Sequence, residues 1–127
     1  GPRAAAGAPV PAPPDTSRPR ALAVARAALD KKAEDVVVLD VRGLASYADY
    51  FVLATADSER QATAVADHVD ERLEAEGARK VGVEGYEQGR WILVDYGDVV
   101  AHVLSRQARD LYDIEGLWVD APRVKVE

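Results

Sequence analysis

The chain predicts an α/β fold, a single mixed sheet of about five strands with helices packed against it. Three observations predict it. Two short β-branched apolar runs, Asp35-Val-Val-Val-Leu-Asp-Val41 and Tyr50-Phe-Val-Leu-Ala54, read as strands. A long amphipathic stretch, Glu59 to Glu76, reads as a helix. A further pair of apolar runs, Arg90 to Asp95 and Asp98 to Leu104, is separated by a Tyr96-Gly97 turn.

In chain order, a first helix starts near Ser17 to Pro19. Ser17 is placed to cap it, and Pro19 is tolerated in a first turn. Leu22, Ala25 and Leu29 then share a face, and the helix fades near Lys32. The Asp35–Val41 run is apolar enough to be covered on both faces. Arg42 to Asp49 is too short for a helical crossover, so the first two strands pair antiparallel. Ser58 and Gln61 make a capping-box pattern ahead of the long helix, whose buried stripe is Ala62, Val65, Ala66, Val69 and Leu73. Gly77 supplies the left-handed stop. A strand near Lys80 to Glu84 follows, expected to run parallel to a neighbour, and a Gly-bearing loop, Gly85 to Gly89, leads on to the last two strands. Ser105 to Trp118 reads as short helical pieces, and Ala121-Pro122 closes the domain.

The ends read differently. Residues 1–16 hold Pro2, Pro9, Pro11, Pro13 and Pro14, which remove backbone donors and forbid a regular helix. They read as a disordered or extended tail, with Gly1-Pro2 a cloning scar. Residues 17–122 form the one domain, and residues 123–127 are expected to fray.

Composition narrows the function classes. No run is apolar for long enough to span a bilayer, and the proline-broken front is no signal peptide, so a cytoplasmic location is expected. With no cysteine there is no disulfide, no thiolate chemistry and no sulfur-built zinc site. A net charge of -6, with basic residues interspersed among acids, disfavours autonomous RNA binding but suits a basic protein partner.

Asp40, Asp95 and Asp98 raise the alternative of a metal-dependent nucleotidyltransferase, which needs its carboxylates to converge. Strand-end acids that cap turns are the plainer reading, and no Gly-Ser plus Asp-x-Asp signature accompanies them. His68 lies among charges, off the apolar stripe. His102 sits inside an apolar strand and needs a partner or a neutral state, which makes it structural. Neither a nucleophile elbow nor a phosphate-cradling loop occurs. No catalytic residue, metal or cofactor is assigned.

Several stretches resemble one family. They are Asp35 to Gly43, Ala48-Asp49-Tyr50-Phe51, Ser58-Glu-Arg-Gln61, Val83-Glu84-Gly85 and Gly89-Arg90-Trp91 through Asp95-Tyr96-Gly97-Asp98 to His102. Arg109-Asp-Leu-Tyr112 and Leu117-Trp118-Val-Asp-Ala-Pro122 complete the series. Their order and spacing are similar to the bacterial ribosomal silencing factor, or Iojap-related, family, over roughly Arg18 to Val124. The resemblance implies a nucleotidyltransferase-like fold without that activity. It implies a translational repressor that binds large-subunit protein fourteen on the large ribosomal subunit and sterically blocks joining of the small subunit, chiefly when nutrients are scarce. Carried onto this sequence, the docking surface involves Trp91, Tyr96 and Tyr112, flanked by Asp95, Asp98, Arg109 and Trp118. Large aromatics and Arg suit that use, because they bury much area at little entropic cost. Tyr96, in a turn, has no obvious core to enter. The Pro-rich front lies outside the family core, and Ser105-Arg-Gln-Ala-Arg109 lacks the acidic character of that stretch in relatives. A homodimer contact through the aromatics and a minor ribosomal RNA contact remain open alternatives.

Overall fold

The computed structural model describes residues 15–126. The Pro-rich tail therefore lies outside the described residues, apart from Asp15 and Thr16. The elements are α1 (Ser17–Asp30), β1 (Glu34–Asp40), β2 (Tyr50–Ala56), α2 (Glu59–Ala75), β3 (Gly82–Glu84), β4 (Trp91–Asp95), β5 (Val99–Ser105), α3 (Arg106–Tyr112), α4 (Ile114–Leu117) and β6 (Arg123–Val124). They build one mixed sheet in the order β3-β4-β5-β2-β1-β6.

The β1–β2 pair is antiparallel, as the short intervening segment requires. Parallel pairing occurs between β2 and β5, whose connection contains the α2 crossover. Two expectations fail here. β3 pairs antiparallel with β4 and has no parallel neighbour. The helix does return the chain in the direction of β2, but β4 and β5 fill the space between, so β3 is left at the edge as one arm of a hairpin. At the other edge Arg123 and Val124, expected to fray, pair with Leu39 and Val38 and give the sheet its sixth strand.

α1 and α2 lie on one face of the sheet, over a core that includes Val24, Ala28, Val52, Val65, Leu73, Ile92, Val94, Val99 and Val103. The buried face of α1 is built from Ala21, Val24, Ala25 and Ala28, while Leu22 is only half-buried and Leu29 is exposed. Small residues let this helix approach α2 closely. Ser17 does not cap α1: its hydroxyl donates to Asp49 Oδ2 at 2.7 Å and lies 2.9 Å from Asp98 Oδ2. The backbone N–H of Arg18 instead donates to Asp15 Oδ1 at 3.0 Å. Asp15 Oδ2 accepts from the Tyr50 hydroxyl at 2.7 Å, so this residue belongs to the domain and not to the tail.

The capping signal before α2 holds. Ser58 Oγ accepts the N–H of Gln61 at 3.0 Å, and Gln61 Oε1 accepts the N–H of Asp57 at 2.6 Å. Gln61 Nε2 also donates to the carbonyls of Lys31 and Lys32, which ties the start of α2 to the end of α1. Gly77, at φ 82°, ends the helix where only a residue without Cβ is unstrained.

On the opposite face a smaller apolar cluster comprises Leu39, Val41, Phe51, Leu53, Val100 and Leu104, partly covered by Ala108 of α3 and Ile114 of α4. Two short helices cannot cover a six-stranded sheet. That shortfall positions the candidate site.

Candidate docking surface on the half-covered sheet face

Side chains alternate across a strand, so Trp91 and Leu93 of β4 point to the half-covered face while Ile92 and Val94 point into the α1–α2 core. His102 of β5 is paired with Leu93 in register and is a diagonal neighbour of Trp91. The rings form a chain across the sheet. Tyr112 of α3 lies 4.7 Å from Trp91, Trp91 lies 6.0 Å from His102, and His102 meets Phe51 edge-on at 5.4 Å. Phe51 in turn touches Trp118 at 5.2 Å and Tyr47 at 5.9 Å. Each distance falls within the range of a favourable aromatic pair.

Much of this chain remains open. Tyr112 is 49% exposed and Tyr47 is 63% exposed. Trp91, Leu93 and Trp118 are half-buried, and Leu44, Leu111, Leu117 and Val119 are exposed apolar residues of the flanking loop and helical segments. Trp91 forms a ridge between two shallow depressions, one bordered by Glu84, Gly85 and Leu93, the other by Ala108, Leu111 and Tyr112. Gly85 lets the loop sit this close to β4. A Cβ there would meet the Trp91 carbonyl oxygen at 2.0 Å, and the residue holds φ 75°.

His102 is buried, and burial alone pushes it down to about 4, so it is neutral at ordinary pH. Its Nδ1 accepts the indole N–H of Trp91 at 3.0 Å. The remaining ring proton is therefore on Nε2, which is buried and has no hydrogen-bond partner. The sequence requirement of a partner or a neutral state is met by both at once.

The other residues expected at the surface are placed elsewhere. Tyr96 is buried, 4% exposed, within the core under α1 and α2. Its hydroxyl donates to Asp70 Oδ1 of α2 at 3.0 Å. Burial, reinforced by the Asp70 carboxylate, holds that hydroxyl well above its usual range. Tyr96 thus offers no contact surface in the free chain. Asp95 Oδ1 accepts the N–H of Gly97 at 2.7 Å and closes the turn. Asp98 is held from α1, by Arg20 Nη1 at 2.8 Å and by Ser17. Arg109 is buried: Nη1 donates to Thr55 Oγ1 and Nε to Glu115 Oε1, each at 2.9 Å. It anchors α3 and α4 to the sheet. Of the seven residues, Trp91, Tyr112 and Trp118 come together on one face. Leu93, Tyr47 and Leu111 join them, and the sequence reading missed all three.

The carboxylates considered for a metal each have another role. Arg42 pairs with Asp40 through Nη2 at 2.7 Å and Nε at 2.9 Å, and holds its carboxyl below the usual range. Asp95 and Asp98 serve the turn and the α1 contact. Among the described residues, no group of three or more His, Asp or Glu is arranged to hold a metal ion.

Residues 14–127 match the profile of the family described as ribosomal silencing factor during starvation. The chain belongs to the ribosomal silencing factor family. A ribosomal silencing factor of Halalkalibacterium halodurans is 44% identical over 98 residues, covering 77% of this chain and 84% of that protein. One from Bacillus subtilis is 41% identical over 102 residues, covering 80% and 86%. A crystal structure of a protein from Chromobacterium violaceum superposes with a TM-score of 0.79 at 42% identity, over 80% of this chain and 85% of that one. Silencing-factor relatives carry names of regulatory factors rather than of enzymes, and membership puts this chain among ribosome-linked regulators of translation. Among the described residues no helix is long and apolar enough to cross a membrane.

Proposed function

We propose that this member of the family docks through the half-covered sheet face onto large-subunit protein fourteen of the large ribosomal subunit, in the cytoplasm. Its bulk there blocks joining of the small subunit and lowers translation, chiefly when nutrients are scarce. The effect is occupancy of a surface without turnover, so the free energy of docking sets its strength. The observation that carries the reading is the continuous row of rings from Tyr112 through Trp91 and His102 to Phe51, Trp118 and Tyr47, open to solvent at both ends. A row of rings that α3 and α4 leave half-covered, flanked by the exposed Leu44, Leu111, Leu117 and Val119, has the aromatic and apolar make-up of an interface core. A chain of net charge -6 also approaches a basic protein faster than it approaches ribosomal RNA.

Co-sedimentation with separated ribosomal subunits, alongside pull-down with isolated large-subunit protein fourteen, tests this. The chain should travel with the large subunit only. Trp91→Ala and Tyr112→Ala should each lose about 2 kcal/mol or more of binding, within the hot-spot range, while keeping native circular dichroism. Undiminished binding by both variants rules out this face. Sedimentation of the free chain at micromolar concentration reads whether the same rings also serve self-association.

A further inference from the structure

Trp91 is one of the two largest side chains on the half-covered face, with Trp118, and its indole N–H is satisfied inside the molecule rather than offered to solvent or to a partner. It donates to His102 Nδ1, one strand away. A half-buried indole with no acceptor would leave its ring free to swing toward water, where the N–H is readily satisfied. Three features fix His102 as the acceptor. The imidazole is buried at the centre of β5, its orientation is set by the edge-on Phe51 ring, and Nε2 finds no partner, so no other bond competes for the ring's rotation. An orphaned buried N–H is costly. A strand position that needed only packing would be filled without that cost by Val or Leu, as at Val100 and Leu104 on the same face of β5.

We propose that His102 is a positioning residue for the docking surface: it holds the Trp91 indole in one fixed plane between itself and Tyr112, so that the ridge presented to the partner is preformed. The inference rests on the docking reading above and adds to it the device that makes the surface rigid. Its benefit is a smaller ordering cost on binding.

Nitrogen-15 spectra of the free chain give a readout that needs no partner. With two tryptophans, there are two indole signals, and Trp91→Phe identifies the one from Trp91. In the wild type that N–H should exchange slowly with water. His102→Leu, an apolar residue suited to a strand, should make exchange fast. His102→Asn, whose carbonyl oxygen falls near the place of Nδ1, should slow it again. Affinity for large-subunit protein fourteen should fall roughly threefold to tenfold in His102→Leu, the range of one neutral hydrogen bond, and recover in His102→Asn. The double variant Trp91→Phe/His102→Leu should bind no worse than the weaker single, because both remove the same bond. Unchanged exchange and affinity in His102→Leu, with Trp91→Ala still weakening binding, overturns the positioning role and leaves the surface standing. Additive losses in the double variant overturn it too. Altered exchange in His102→Leu, with full affinity retained by Trp91→Ala, overturns the docking surface itself, and with it any role for His102 in docking.

Discussion

Tyr96 and Tyr112 have the same side chain in opposite settings, and the difference lies in what each ring finds beneath it. Tyr96 continues the alternation of β4: Ile92, Val94 and Tyr96 enter one core, while Trp91 and Leu93 face the other way. Its hydroxyl reaches Asp70, whose other oxygen accepts from Lys80 Nζ at 2.9 Å. Tyr96→Phe keeps the ring and deletes one hydrogen bond, and should cost about 1 kcal/mol of stability with no change in partner affinity. Tyr96→Glu puts a carboxylate into the same apolar site beside Asp70. It should cost several kcal/mol and lose binding only because the fold is lost. Urea unfolding of both variants, with binding measured at matched folded fraction, checks this. A stable Tyr96→Glu chain with weak binding would return Tyr96 to the surface.

At the scale of elements, patterning carried most of the fold. The strand pair β1–β2, the capped helix α2 and the hairpin β4–β5 each rest on a local signal that structure and sequence share: a short connection, a Ser-x-x-Gln cap, a Tyr-Gly turn. What was not legible was relational. Whether β3 lands beside β2 or at the far edge depends on where β4 and β5 insert, and no residue of β3 encodes that. β6 has only two paired residues, too few for a periodicity. The site was legible in part. Of the proposed docking residues, Trp91, Tyr112 and Trp118 stand out in the sequence as large aromatics, whereas reading Tyr96 as a turn residue hides that it is the next step of a period-two strand and enters the core. Leu93 could have been found by that same period, as the partner of Trp91 on one face. Arg109 and Asp98 were drawn into the site by their chemistry, and only the fold shows that Thr55, Glu115, Arg20 and Ser17 already engage them. The Gly85 loop offers a prediction at this scale. Gly85→Ala forces a Cβ against the Trp91 carbonyl and strains a positive φ. It should lower the melting temperature by several degrees, equivalent to about 1–3 kcal/mol, and shift the Trp91 indole resonance more than that of Trp118. A resonance unmoved in a folded variant would show that the loop does not hold β4.

For the whole molecule, the consequence of a sheet sealed on one face and half-covered on the other is that its single buried histidine lies under the open side. Burial in an apolar setting, with no charged partner contributing, lowers His102 from 6.5 to about 4. As pH falls below 6.5 the unfolded chain takes up a proton on this imidazole that the folded chain refuses until about pH 4, so unfolding becomes more favourable. Stability from this group is complete above pH 6.5 and is lost progressively on acidification. The loss should reach about 2 kcal/mol by pH 5 and about 3 kcal/mol once the folded imidazole is itself protonated. Asp15, Asp35 and Asp40 are held below their usual range by hydrogen bonds from Tyr50, Arg106 and Arg42 respectively. Their contributions begin to fade only near and below pH 4, so these three do not mask the histidine between pH 6.5 and 4.5, and the His102→Leu comparison subtracts what the other groups contribute. Urea titrations of wild type and His102→Leu across that interval should diverge in slope: the wild type loses stability relative to the variant as acid is added, and the difference between the two becomes independent of pH above 7. Parallel profiles would mean that the imidazole is hydrated or charged in the folded chain, and a charged ring could not accept the Trp91 proton.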